Sequence, residues 1–114
     1  MSEVDHEKVI SFIFFSCYFS SASQAFFYAG SKLYGFLERD MRGSVDFEVG
    51  LGDGYVIGVY DAIDGVLVCC PVGVTVKQVK HVVFNYMQKH PESWDKSADI
   101  SVVSALREVW SCQH

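Results

Sequence analysis

The chain has 114 residues, half of them hydrophobic and 15% aromatic, enough for one domain with a single core and too apolar for disorder. Its formal net charge is −5, with nine Lys and Arg set against fourteen Asp and Glu and no basic run. A nucleic-acid binder needs a Lys/Arg stripe to displace counterions, so that class is excluded, whereas an acidic surface suits a basic protein partner.

In chain order, Lys8 precedes the apolar run VISFIFFSCYF at 9–19, and SSASQA follows at 20–25. A helix needs about 20 apolar residues to cross a bilayer, so this shorter run fits the apolar segment of a secretory leader. Ser23 and Ala25 are the small residues that a signal peptidase requires at alternate positions. The pattern predicts a leader over 1–25, cleavage after Ala25, and a single mature domain over 26–114 with no stable membrane insertion. Glu3, Asp5 and Glu7 make this leader unusually acidic; the competing reading is a retained N-terminal helix or anchor.

Export changes how the cysteines are read. Cys17 leaves with the leader, and Cys69, Cys70 and Cys112 remain. Thiols in an oxidising compartment normally pair. Adjacent cysteines rarely bond each other, so one of Cys69 and Cys70 is expected to join Cys112. Closing a loop of about 44 residues stabilises a fold by roughly 4 kcal/mol on the chain-entropy model. A metal site on Cys69, Cys70, Cys112 and His114 is the rival, but it lacks the C-x-x-C knuckle of such sites. Neither a metal nor a cofactor is called for.

Beyond the leader the apolar spacing is helical. Ser31 can cap a helix over 32–42 with Leu33, Phe36 and Leu37 on one side. A second helix is predicted over 47–63, with Leu51, Tyr55, Val59 and Ala62 at helical spacing. Glycines weaken helices by up to about 1 kcal/mol each, and Gly54 with Gly58, four apart, reads as a groove for a close-packed helix. The alternative makes 55–60 and 65–69 a β-hairpin. Thr75 and Gln78 form a capping box opening a helix whose Val76, Val79, Val83, Tyr86, Met87 and His90 share a face; Pro91 ends it. The loop 90–97 leads to a last helix over 98–110, with Ala98, Val102, Ala105 and Val109 inward, flanked by Leu106 and Trp110. The prediction is an all-α compact bundle of about four to five helices with one disulfide.

Four blocks of the chain carry a family resemblance: GYVIGVYDA (54–62), CCPVGVTVKQ (69–78), VVFNYMQKHPE (82–92) and ALREVWSC (105–112). In order and spacing they resemble the Tai/Rap immunity proteins, which are paired with amidase effectors of type VI secretion. The resemblance implies a small helical periplasmic protein that binds a peptidoglycan-cutting amidase and blocks it, often as a homodimer. It also implies that Cys69 pairs with Cys112 and that Cys70 is the spare thiol. Ser111 stands where the family commonly has proline, and the loop SWDK (93–96) differs from the family's commoner basic version.

Individual side chains have competing readings. Asp61 lacks an acid/base partner and reads as a turn residue. His81 lies on the polar side of its helix, and His90 at a helix C-terminus, where an imidazolium favours the dipole. A nucleophilic Cys70 with either histidine is the single enzymatic pairing, set against a non-enzymatic binding protein; a third class is a periplasmic structural or adaptor domain without a toxin. Trp94 either packs back onto the domain or anchors an interface. Phe84, off the core face, is a dimer contact or a boundary residue. The partner-binding set is therefore Glu92, Ser93, Trp94, Asp95 and Phe84, with the 91–97 loop filling the amidase cleft.

Overall fold

The computed structural model describes residues 26–112; the leader, its cleavage site and His114 lie outside them. Four helices run in order: α1 (Gly30–Met41), α2 (Phe47–Ile63), α3 (Val76–Lys89) and α4 (Ala98–Trp110), with a 3₁₀ turn at Pro91–Ser93. Each helix packs against the other three, so a single core forms where the four apolar stripes meet. Leu33 and Leu37 from α1, Val56 from α2, Val83 and Met87 from α3, and Val102 and Leu106 from α4 are fully buried there. Each such side chain contributes roughly 1.5–3 kcal/mol of hydrophobic stabilisation before entropy is counted.

The segment 55–69 is not a hairpin. Residues 55–63 continue α2, and Gly65, at φ 83°, turns the chain back. Among the described residues there are only isolated bridges, such as Val68 with Ser111. That bridge, with Cys69 N–H donating to Trp110 O at 2.8 Å, lays the cysteine loop along the chain end. Cys69 and Cys112 form a disulfide there with their Cα atoms 4.8 Å apart, within the usual range for such a bond. The thiolate-metal alternative is thereby overturned.

The buried face of α2 differs from the predicted one. Val49, Gly52, Val56 and Ile63 point inward, while Leu51 is 37% exposed and Ala62 lies on the surface. The apolar residues of this helix are spread around its circumference, so helical spacing alone could not select the face. The close helix approach is likewise at Gly52, where a Cβ would lie 2.7 Å from that of Phe36; at Gly54 and Gly58 it would meet nothing within 4 Å. In α4, Val109 is 52% exposed and Ser101 takes the inward place.

The capping box of α3 is present, with Gln78 N–H donating to the Thr75 hydroxyl at 3.2 Å and Thr75 N–H to the Gln78 amide oxygen at 2.8 Å. Helix α1 begins two residues earlier than predicted, and its N-cap, Ala29, makes no side-chain cap. Its first donors are satisfied from elsewhere in the fold.

Candidate partner-binding surface

The loop between α3 and α4 is built by its neighbours. After Lys89, the ring of Pro91 stops α3 and starts the 3₁₀ turn, as a proline at a first helical position does. The turn points Ser93 inward, where it is 8% exposed. The Ser93 hydroxyl donates to His90 O at 2.8 Å and lies 3.1 Å from that of Ser101. From below, Gly30 N–H donates to Lys96 O and Ser31 N–H to Trp94 O, both at 2.8 Å, while Ala98 N–H donates to Tyr28 O at 2.9 Å. The loop carbonyls therefore supply the cap that α1 lacks.

Of the two alternatives for Trp94, the structure shows the ring packed back onto the domain, half-buried. Its Nε1–H donates to Met87 O at 2.8 Å, and its ring stacks on Tyr34 at 4.3 Å. Tyr34 in turn stacks on Phe84, at 5.4 Å and 6° between planes. The two aromatics singled out in the sequence, one in the loop and one in α3, are thus joined by a third from α1 into a single ridge, Phe84–Tyr34–Trp94. All three residues are half-buried. Tyr34 was legible by the signal that drew attention to Phe84, an aromatic off its helix's core face.

Glu92 and Asp95 are exposed beside the ridge. His90 Nδ1 lies 2.8 Å from Glu92 Oε1, and the hydrogen bond from His90 holds the Glu92 carboxyl below its usual pKa, helped by its own backbone N–H. The ring of His90 stacks on Tyr86 at 4.2 Å. Of the five predicted contact residues, Glu92 and Asp95 face solvent, Trp94 and Phe84 share the ridge, and Ser93 serves the turn.

Cys70, Asp64 and Lys80 are engaged in the fold, while Asp61 and His81 are exposed. Burial pushes the Cys70 thiol up, Asp64 adding to the effect and a hydrogen bond with Tyr60 opposing it. A protonated thiol is a poor nucleophile, and its polar neighbours are a phenol and a carboxylate. Asp64, not Asp61, makes the turn contact, accepting from Cys70 N–H at 3.2 Å. Lys80 of α3 reaches Asp40 of α1 at 2.7 Å and Asp53 of α2 at 3.1 Å, tying three helices together. Among the described residues no cluster of His, Cys, Asp or Glu could hold a metal, and no helix is long and apolar enough to cross a membrane.

These features define a small disulfide-stapled helical domain with one preformed aromatic loop. Residues 29–112 match the model of the Rap1a immunity proteins, and the chain belongs to that family. Its members counter an effector toxin by binding it. No curated protein matches the chain.

Proposed function

We propose that this chain is a periplasmic immunity protein that binds a cognate type VI secretion peptidoglycan amidase and blocks it, protecting the producing cell and its kin. The family match carries this reading. The Cys69–Cys112 disulfide supports an oxidising compartment, in keeping with the leader expected over 1–25.

The mechanism is steric and needs no chemistry by the inhibitor. An enzyme acting on a bulky cell-wall polymer needs an open cleft, and a rigid loop between two helices can fill it. The 91–97 loop enters with Trp94 as its apolar anchor, Phe84 of α3 standing behind it, and Glu92 and Asp95 as the polar rim, the usual anatomy of a tight interface. A homodimer belongs to the same reading and would present two such loops.

The test is protection. Cells producing periplasm-directed type VI amidases, one from each of several families, are co-transformed with this gene, and lysis is followed. One amidase is expected to be neutralised and to co-purify with the protein. Lysis by every member of the panel, with the protein present and folded in the periplasm, refutes the reading.

A further inference from the structure

We propose that Gly30, the first residue of α1, is a positioning residue for the binding loop. The inference rests on the reading of 91–97 as the partner-binding segment. A Cβ at Gly30 would lie 2.9 Å from Ser93 O, 3.0 Å from Trp94 Cα and 3.2 Å from Trp94 O. These are main-chain atoms of the loop itself and have no flexible end to swing away. Gly30 is helical and is not among the glycines at positive φ, so alanine could adopt its backbone conformation. What requires glycine is the loop lying against it.

The same contact provides the hydrogen bonds. Gly30 N–H and Ser31 N–H donate into the loop at Lys96 O and Trp94 O, while Lys32 N–H and Leu33 N–H return to Ala29 O at 3.1 and 3.2 Å. The start of α1 is thus divided between its own helix and the loop, and Ala29 forms an antiparallel bridge with Ser97. A methyl group at residue 30 separates the two surfaces, breaks those bonds and frees Trp94 from its place on Tyr34. The helix persists; the preformed loop is lost. Apparent affinity then falls with the fraction of molecules that keep the loop in place.

The experiment compares the purified full chain with Gly30→Ala and with Gly35→Ala, a control in the same helix where a Cβ meets nothing within 4 Å. In Gly30→Ala the Trp94 indole N–H resonance should move to an unbonded position, and the Ser31 amide should lose exchange protection. Core amides at Val83 and Val102 should keep theirs, and affinity for the amidase found by the protection panel should fall about tenfold. Gly35→Ala should bind like wild type. In wild type, amidase binding should further slow exchange at Gly30 and Ser31, a readout that does not depend on a variant folding. Three results overturn the proposal: an unmoved Trp94 indole, loss of core protection in equal measure, or wild-type affinity with a displaced loop. Failure of every amidase to bind wild type refutes the effector reading instead, while the indole and exchange measurements still decide whether Gly30 sets the loop.

Discussion

The indole Nε1–H of Trp94 donates to the carbonyl of Met87 at 2.8 Å, across the junction where α3 ends. The bond occupies a carbonyl in the last turn of α3 that lacks its full helical complement, and it fixes the ring that also leans on Tyr34. Trp94 is consequently part of the fold as well as of the proposed interface. Trp94→Ala should lower stability by about 2 kcal/mol through lost packing on Tyr34 and the lost indole hydrogen bond, Met87 O keeping only its bond from His90 N–H at 3.2 Å, roughly 10 °C in Tm for a domain this size. Trp94→Phe keeps the stack and should cost only about 1 kcal/mol. Thermal melts of the two variants check this; equal Tm values for wild type and Trp94→Ala would show the indole to be idle.

The disulfide gives an asymmetric expectation for neighbouring cysteines. Cys112→Ser removes the bond that closes the loop from Cys69 and should destabilise by about 4 kcal/mol. Cys70→Ser leaves the bond intact and retains a hydroxyl for Tyr60, so its Tm should move little. Peptide mapping should recover Cys69 joined to Cys112 with Cys70 open to alkylation. A Cys70–Cys112 peptide would reverse the assignment.

Elements with one apolar stripe were legible in the sequence: α3, with its capping box and terminating proline, and α4 both fall where the spacing puts them. Helix α2 was legible as a helix but not in its orientation, because Leu51 and Val49 are equally apolar and burial depends on which side Phe36 approaches. The start of α1 was misread for a different reason. Ser31 is a good cap by type, yet its amide donates to Trp94 O, a partner 63 positions along the chain, and no local rule contains that bond. Trp94 and Phe84 were visible in the sequence, and Tyr34, another aromatic off its helix's core face, carried the same signal; that it joins the two is set by the packing of α1 against α3.

The glycines of α2 separate packing from propensity. At Gly52 an added methyl would collide with Phe36, and Gly52→Ala should cost about 2 kcal/mol by forcing α1 and α2 apart. Gly54→Ala and Gly58→Ala meet open space and should each stabilise by up to about 1 kcal/mol. Denaturant unfolding of the three variants measures the contrast. A stabilising Gly52→Ala would contradict the packing described.

Lys80 should be sensitive to removal and to pH. Burial disfavours its charge, but the hydrogen bonds and charges of Asp40 and Asp53 outweigh it and raise the pKa above 10.5. A raised folded-state pKa contributes stability that is fully present below 10.5 and lost as pH climbs through the folded value. Asp53 is also raised, from 3.8, chiefly by burial, with the Asp40 charge adding and Lys80 opposing. Its contribution is largest at low pH and fades as pH rises from 3.8 through its folded value. Wild type should therefore lose stability relative to Asp53→Asn as pH rises through that acid window. Lys80→Met, which leaves two carboxylates without a counter-ion, should cost about 2 kcal/mol at neutral pH. Melting curves across pH test both variants; a pH-independent difference between wild type and Asp53→Asn would remove Asp53 from the account.

The ridge makes a prediction about recognition that can be separated from stability. Tyr34 lies between Phe84 and Trp94 and is itself half-buried, so on the proposed reading it stands at the centre of the contact. Tyr34→Leu keeps apolar bulk for the core side but removes the flat surface and the hydroxyl. Binding to the neutralised amidase should weaken by about 2 kcal/mol, roughly thirtyfold, as truncation of a central aromatic anchor commonly does. Asp95 is exposed and makes no ion pair among the described residues, so Asp95→Lys should leave Tm unchanged. If the amidase cleft is basic, the same change should slow association and reduce its dependence on salt, because the rim charge steers encounter more than it holds the complex. Surface plasmon resonance resolves the two effects, since Tyr34→Leu should act on dissociation and Asp95→Lys on association. Wild-type kinetics for both variants would mean that the ridge does not face the effector, and the contact would then have to be sought on another face of the bundle.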